Sequence, residues 1–184
     1  MLSSHFLREF KGSTEAAWSK KPIDLTLSGF QFQQGTRWNA GLSDEMITSY
    51  EDVLRVQFPH DFKTFLREMN GTDLATLNVY GSCGEPHRKS VGIYSYPRDI
   101  ELIRQRIEHI SSSRAEITSD LAEQGFELLP VANLVPVYAH RYVVCSPNLD
   151  DSVVLSIVVH DVDAIVYANS LTEYLEKEFL QAAS

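Results

Sequence analysis

Between Glu51 and Asp73 the chain reads EDVLRVQFPHDFKTFLREMNGTD, and no other stretch constrains its fold as strongly. Phe62, Phe65, Leu66 and Met69 recur at the i, i+3, i+4, i+7 spacing that places four large apolar side chains on one helix face. Phe58-Pro59 ends the helix before it and opens this one, and proline suits a helix start because its missing N–H has no partner there. Asn70-Gly71 then supplies the left-handed turn that stops it. Upstream, Met46, Ile47, Tyr50 and Leu54 form a second stripe. Ser43 is placed to cap that helix, with Asp44 and Glu45 in the first turn, where the helix dipole favours acids. The two together make a helical hairpin.

After the hairpin the periodicity changes. LNVYG (77–81) and the segment from Val91 to Tyr94 read as short strands. Pro97 suits the first turn of a third helix carrying Ile100, Ile103, Ile107 and Ile110 inward, and a further helical pattern over 114–124 ends at Gly125. FELLPV, RYVVC, SVVLSIVV and AIVYA then read as strands, the last two joined at His160-Asp161-Val162-Asp163. A closing helix opens on the capping box Ser170 to Glu173 and buries Leu171, Tyr174, Leu175 and Phe179. Helices first, strands later and a final helix predict an α+β fold with a largely antiparallel sheet, over a domain at 36–184. Residues 1–35 read as an extension packing on it: a helix within 2–20 with Phe6, Leu7, Phe10 and Trp18, a break at Pro22, and strand-like alternation at Phe30 and Phe32.

A chain of 184 residues can bury about 70% of its unfolded surface, so it needs neither disulfide nor metal staple. Its two cysteines, Cys83 and Cys145, stand far apart, which suits a reducing compartment. With no apolar run of membrane length and no secretory leader at the start, the expected location is cytoplasmic and no membrane partner is expected. The net charge of −9 is concentrated late: residues 111–184 hold eleven acids against three basic residues. Such a surface repels nucleic acid and favours encounter with a basic protein.

No pattern for catalysis or cofactor binding emerges. There is no phosphate-cradling glycine motif and no zinc spacing. His160, Asp161 and Asp163, with Asp150 and Asp151, are the best metal candidates, yet an acidic hairpin tip accounts for them more simply. Cys83 with His87, and Cys145 with His140, lack a third orienting group, and Cys145 inside RYVVC reads as a small buried hydrophobe. Arg98, Arg104, Arg106 and Arg114 are interleaved with acids, as on a solvated helix face. The expectation is no enzyme, no metal and no cofactor. Tyr94, Tyr96, Tyr138, Tyr142 and Tyr167 are spread over the strand-forming half, and tyrosine favours protein interfaces.

The run from Trp38 through Asp73 resembles the opening of the SUKH superfamily, in particular the Smi/Knr-type domain of fungal cell-wall-assembly regulators and their bacterial relatives. The matching residues are Trp38, Glu51, Phe58-Pro59, Asp61-Phe62, Phe65-Leu66 and Asn70-Gly71, and the closing SVVLSIV strand and YANSLTEYLEKEFL helix also fit, so the likeness spans about 36–180. Trp38, Glu51, Pro59, Asp61, Phe62, Phe65, Asn70 and Gly71 are read as structural. One departure stands out: many relatives carry a Gly-Asp or Gly-Asn turn before the RYVVC strand, where this chain reads VPVYAHRYVVC. The resemblance implies a non-enzymatic binding domain. Bacterial members are typically immunity proteins that neutralise a cognate toxin, often a nuclease or deaminase; fungal members act as signalling scaffolds. The expectation is therefore an immunity protein against a basic toxin, with an intracellular scaffold or regulatory module as the alternative. Tyr138, Tyr142, Asp150, Asp151, Asp161 and Asp163 are the expected partner-binding residues.

Overall fold

The computed structural model describes residues 2–81, 88–146, 152–158 and 163–180. The chain opens with helix α1 (Ser4–Lys20) and strand β1 (Ser28–Gln31), followed by β2 (Trp38–Ala40). The hairpin follows as α2 (Asp44–Leu54) and α3 (His60–Glu68), with Ser43 Oγ accepting from the Met46 N–H at 3.3 Å as the cap requires. Next come β3 (Met69–Thr72), β4 (Thr76–Tyr80) and β5 (Arg88–Ser90), then α4 (Ile100–Ser112) and α5 (Arg114–Glu123). The remainder is β6 (Asn133–Tyr138), β7 (Arg141–Cys145), β8 (Val154–Val158), β9 (Asp163–Ala168) and α6 (Leu171–Leu175), which continues as a π-helical turn over Glu176–Leu180. The fold is α+β, and every strand pairing is antiparallel: β1-β4-β5, β2-β3 and β6-β7-β8-β9.

Alternation along the four-stranded sheet splits its side chains between two cores. Leu134, Tyr142, Val144, Leu155, Ile157 and Ala164 face α4 and α5, where Ile110, Ile117 and Leu121 meet them. Val135, Val137, Val143, Cys145 and Val154 face the other way, onto the larger core shared by α1, α2, α3 and α6. The outer edge of β9 is closed by α5. Asp120 accepts from the Ala164 N–H at 3.1 Å, and Gln124 bonds both the Val166 N–H and the Ala164 carbonyl. Those contacts occupy backbone groups that would otherwise template another strand.

Four expectations need correction, besides the strand expected over Val91–Tyr94, which lies instead at Arg88–Ser90 with only an Ile93–Tyr138 bridge beyond it. The second helix of the hairpin, α3, stops at Glu68, and Met69 is already extended (φ −148°), so Met69–Thr72 is a strand paired with β2 rather than the end of a helix. Gly71 is still essential: its φ is +70°, and a Cβ there would lie 2.7 Å from that of Ser95. Second, residues 126–131 form no strand; the strand is Asn133–Tyr138, whose internal Pro136 is tolerated because β6 lies at the sheet edge. Third, Met46 is 39% exposed and sits outside the buried stripe. Fourth, Pro97 precedes the helix, in the turn before Ile100.

The N-terminal elements are part of the core. Leu7, Phe10 and Trp18 of α1 are buried, and Phe10 meets Trp38 and Phe179 at ring-centroid distances of 5.8 Å each. The Trp38 indole N–H donates to Thr14 Oγ1 at 2.8 Å, and its backbone N–H donates to Glu15 at 3.0 Å.

Candidate protein-binding face

The residues of the opening motif hold elements together. Glu51 accepts from the Phe58 N–H at 2.6 Å and pairs with Lys63 at 2.8 Å, fixing the bend between α2 and α3, while Pro59 occupies the N-cap position of α3. Asp61 is buried in the first turn of α3, accepting from the Phe62 N–H, the Ser152 N–H at 2.8 Å and the Ser152 hydroxyl. It thereby ties α3 to the chain entering β8. Asn70 uses its amide like a strand partner, accepting from the Tyr96 N–H at 2.9 Å and donating to the Tyr96 carbonyl at 2.6 Å. Phe62 and Phe65 stack at 6.1 Å within the larger core.

Of the expected contact residues, Tyr138 and Tyr142 are core residues, only 5% and 0% exposed. Tyr138 packs its ring on Phe32 at 5.9 Å and Phe179 at 5.5 Å, and Tyr142 lies under α4 and α5. Both faces of this sheet are covered at these positions, so neither ring reaches a partner. Burial pushes the Tyr142 phenol up to about 12 and raises Tyr138 further. Asp163 is exposed at the start of β9. Asp150, Asp151 and Asp161 lie outside the described residues, as do Cys83, His87 and His160. Among the described residues no group of three or more His, Cys, Asp or Glu side chains is arranged to hold a metal.

Among the described residues, one part of the sheet is left uncovered. Beyond α6, on the face opposite α5, Arg141 sits at the centre of a cluster. Its Nε donates to Glu178 Oε2 at 3.0 Å, its guanidinium NH1 donates to Ser156 Oγ at 2.9 Å, and its Cζ lies 3.8 Å above the Tyr167 ring. Lys177 lies 4.0 Å from the same ring and bonds the Tyr167 carbonyl. Both cations thus lie against the ring of the half-buried Tyr167, a contact that favours this placement of the ring. On the same strand face, two residues earlier, Ile165 is 42% exposed; it pairs with Ser156, and neighbouring Val158, also 42% exposed, pairs with Asp163. A cation-flanked tyrosine, two solvent-facing branched aliphatics and an acid therefore share one surface. Local patterning could have flagged Ile165 and Tyr167 as alternate positions on β9, but the Arg141–Glu178 pair joins residues far apart in sequence and leaves no local trace.

Exposed acids continue around the β9 edge. Glu116, Glu123 and Glu127 line α5 and the loop after it. The basic residues of the third-helix region are engaged locally: Arg98 donates to the Thr72 carbonyl and Arg114 to that of Leu129.

Cys145 is a poor nucleophile. Its thiol is 2% exposed and raised by burial, with the Asp61 and Glu51 carboxylates adding to the shift. In a Cys83→Ser variant, Cys145 should react with Ellman's reagent only after denaturant is added; rapid labelling of the folded protein would contradict the burial. His140, half-buried in the β6–β7 turn, is held below the ordinary imidazole value of 6.5 by burial first and by Arg141 second. The unfolded chain thus binds that proton at higher pH than the folded one, so stability is lost as pH falls through about 6.5. His140→Gln should reduce the loss of unfolding free energy between about pH 7.5 and 5.5 in urea titrations. An unchanged loss would exclude His140 as its source.

No helix in the described residues is long and apolar enough to cross a membrane. No curated protein and no solved structure matches the chain significantly. A family model, described as SMI1 / KNR4 family (SUKH-1), matches residues 41–177. That match takes in the Glu51–Gly71 scaffold, the four-stranded sheet and the start of the closing helix, and on it the chain belongs to the SMI1 / KNR4 (SUKH-1) family.

Proposed function

We propose that this chain is a non-enzymatic protein-binding domain that acts as an immunity protein, silencing a basic toxin of nuclease or deaminase type by covering its working surface. The observation that carries the reading is the open end of the sheet, where Ile165 and Val158 stay exposed beside the clamped Tyr167 in a fold of this family. Small apolar anchors next to an aromatic with a polar tip are what a binding centre needs, and a standard interface takes about 800 Å² from each partner. The exposed acids of α5 and β9 would raise the association rate with a cationic partner and reject anionic ones, more than they would add affinity. The raised thiol of Cys145 also favours affinity over chemistry.

Co-expression with each protein encoded beside the gene tests the reading. Rescue of cells from a toxic neighbour, together with a stoichiometric complex on gel filtration, is the expected outcome. Absence of any toxic neighbour, with housekeeping proteins recovered in pull-downs, would replace it with a scaffold role.

A further inference from the structure

The edge of the four-stranded sheet opposite β9 is β6, and beside it, where α4 gives way to α5, lies a cavity of about 200 Å³. Ile107 and Ile110 of α4 and Leu134 of β6 make its apolar walls, while Ser111, Arg114 and Asn133 bring polar groups to it. Arg114 is half-buried, and its guanidinium NH2 donates to the Leu129 carbonyl at 2.9 Å. That bond uses one of five guanidinium donors, and a carbonyl brings no charge to balance the cation. Among the described residues no carboxylate pairs with Arg114. Glu108 and Glu116, near it in sequence, both stand exposed. Burial pushes the guanidinium below its ordinary value, and no neighbouring charge opposes the shift. Arg114 is also the first residue of α5, where the helix dipole disfavours a cation, and Ser113 makes no side-chain cap bond there.

From this geometry we infer that the cavity is a socket for the side-chain carboxylate of a protein partner, an Asp or Glu flanked by apolar residues. Charge selects the ligand. An unpaired, partly desolvated guanidinium gains most from an anion that takes two of its remaining donors at once, and a planar carboxylate matches that fork. One cation balances one negative charge, whereas a phosphate brings close to two into a chain of net −9. Size and rim select how the carboxylate is presented. The cavity falls below the roughly 300–1,000 Å³ of small-molecule sites. Leu129 and Val131, on the loop that holds Arg114, are 42% and 65% exposed, and they offer apolar surface to the residues flanking the acid. Glu116 and Glu127 are exposed in the same region, so the socket acts by recognition at contact and not by long-range steering. None of this rests on the immunity reading, whose anchor Ile165 lies on the far strand of the sheet.

The test uses the full chain labelled with ¹⁵N and titrated with the tripeptide N-acetyl-Leu-Glu-Leu-amide and its Leu-Gln-Leu counterpart. Saturable shifts are expected at the Arg114 Nε–H and at the Leu129, Ala132 and Asn133 amides, with the glutamine peptide bound about tenfold more weakly. Arg114→Gln keeps a donor for the Leu129 carbonyl and should bind the two peptides equally. A preference for the glutamate peptide that survives in Arg114→Gln overturns the socket. If that variant does not fold, the natural chain decides: no saturable shift, or equal affinity for both peptides, overturns it as well. Acetate bound as tightly as the glutamate peptide overturns the protein partner, and inorganic phosphate that displaces the peptide at lower concentration than acetate overturns the carboxylate. Ile165→Asp should leave peptide binding unchanged, so the socket and the β9 face stand or fall separately; peptide binding lost in that variant would place the peptide on β9 and overturn the socket.

Discussion

Deleting residues 2–35 should leave a chain that no longer unfolds cooperatively. The family match begins at Gly41, and residues 1–35 read from sequence as an appendage, yet α1 closes the larger core. Leu7, Phe10 and Trp18 are 0%, 2% and 7% exposed, and burying each stabilises the fold by roughly 2–3 kcal/mol. Their removal also uncovers Trp38 and Phe179, strips the Trp38 indole of its acceptor Thr14, and takes β1 from β4. These losses approach the whole net stability of a domain, about 5–15 kcal/mol. Circular dichroism through a urea titration checks this. A sigmoidal transition with the midpoint of the full chain would show that residues 36–184 stand alone.

Asp61→Ala should cost about 3–5 kcal/mol, lowering the melting temperature by about 10 °C. The substitution strands the Ser152 N–H and hydroxyl in a site where Ser152 is fully buried, and it cuts the tie between α3 and β8. Asp61→Asn should be nearly as harmful, because an amide keeps one acceptor and turns a donor toward donors. In a double-mutant cycle, Ser152→Ala should cost much less in the Asp61→Ala background than alone. Additive effects would mean that the two side chains do not act on each other.

Residue by residue, what could be read beforehand follows physical lines. The helices α2, α3 and α6 were legible because each joins an apolar stripe to a local start or stop. Ser43 caps α2, and Ser170 and Glu173 bracket the start of α6, with Ser170 Oγ accepting from the Glu173 N–H and Glu173 reaching back to the Asn169 N–H. The β2–β3 pair was not legible, since it is three residues against four and its glycine resembles a helix stop. Pro136 hid β6, because proline argues against a strand unless the edge position is known. The candidate face was half visible. Alternation identifies Tyr142 and Tyr167 as sheet residues, but what covers each sheet face is set by distant helices, so one tyrosine is core and the other half-exposed. The Arg141–Glu178 pair that braces Tyr167 exists only once α6 has docked.

The central claim is that affinity through the open sheet end is this protein's output, and Ile165→Asp tests it most directly. Ile165 is 42% exposed and belongs to neither core cluster, so the variant should still fold, with its melting temperature lowered by only a few degrees. Calorimetric titration against a toxic partner identified by the co-expression test should show binding weakened by about 30-fold, while Glu101→Gln on the exposed first turn of α4 leaves it unchanged. Equal affinity for Ile165→Asp and the natural chain would contradict the account.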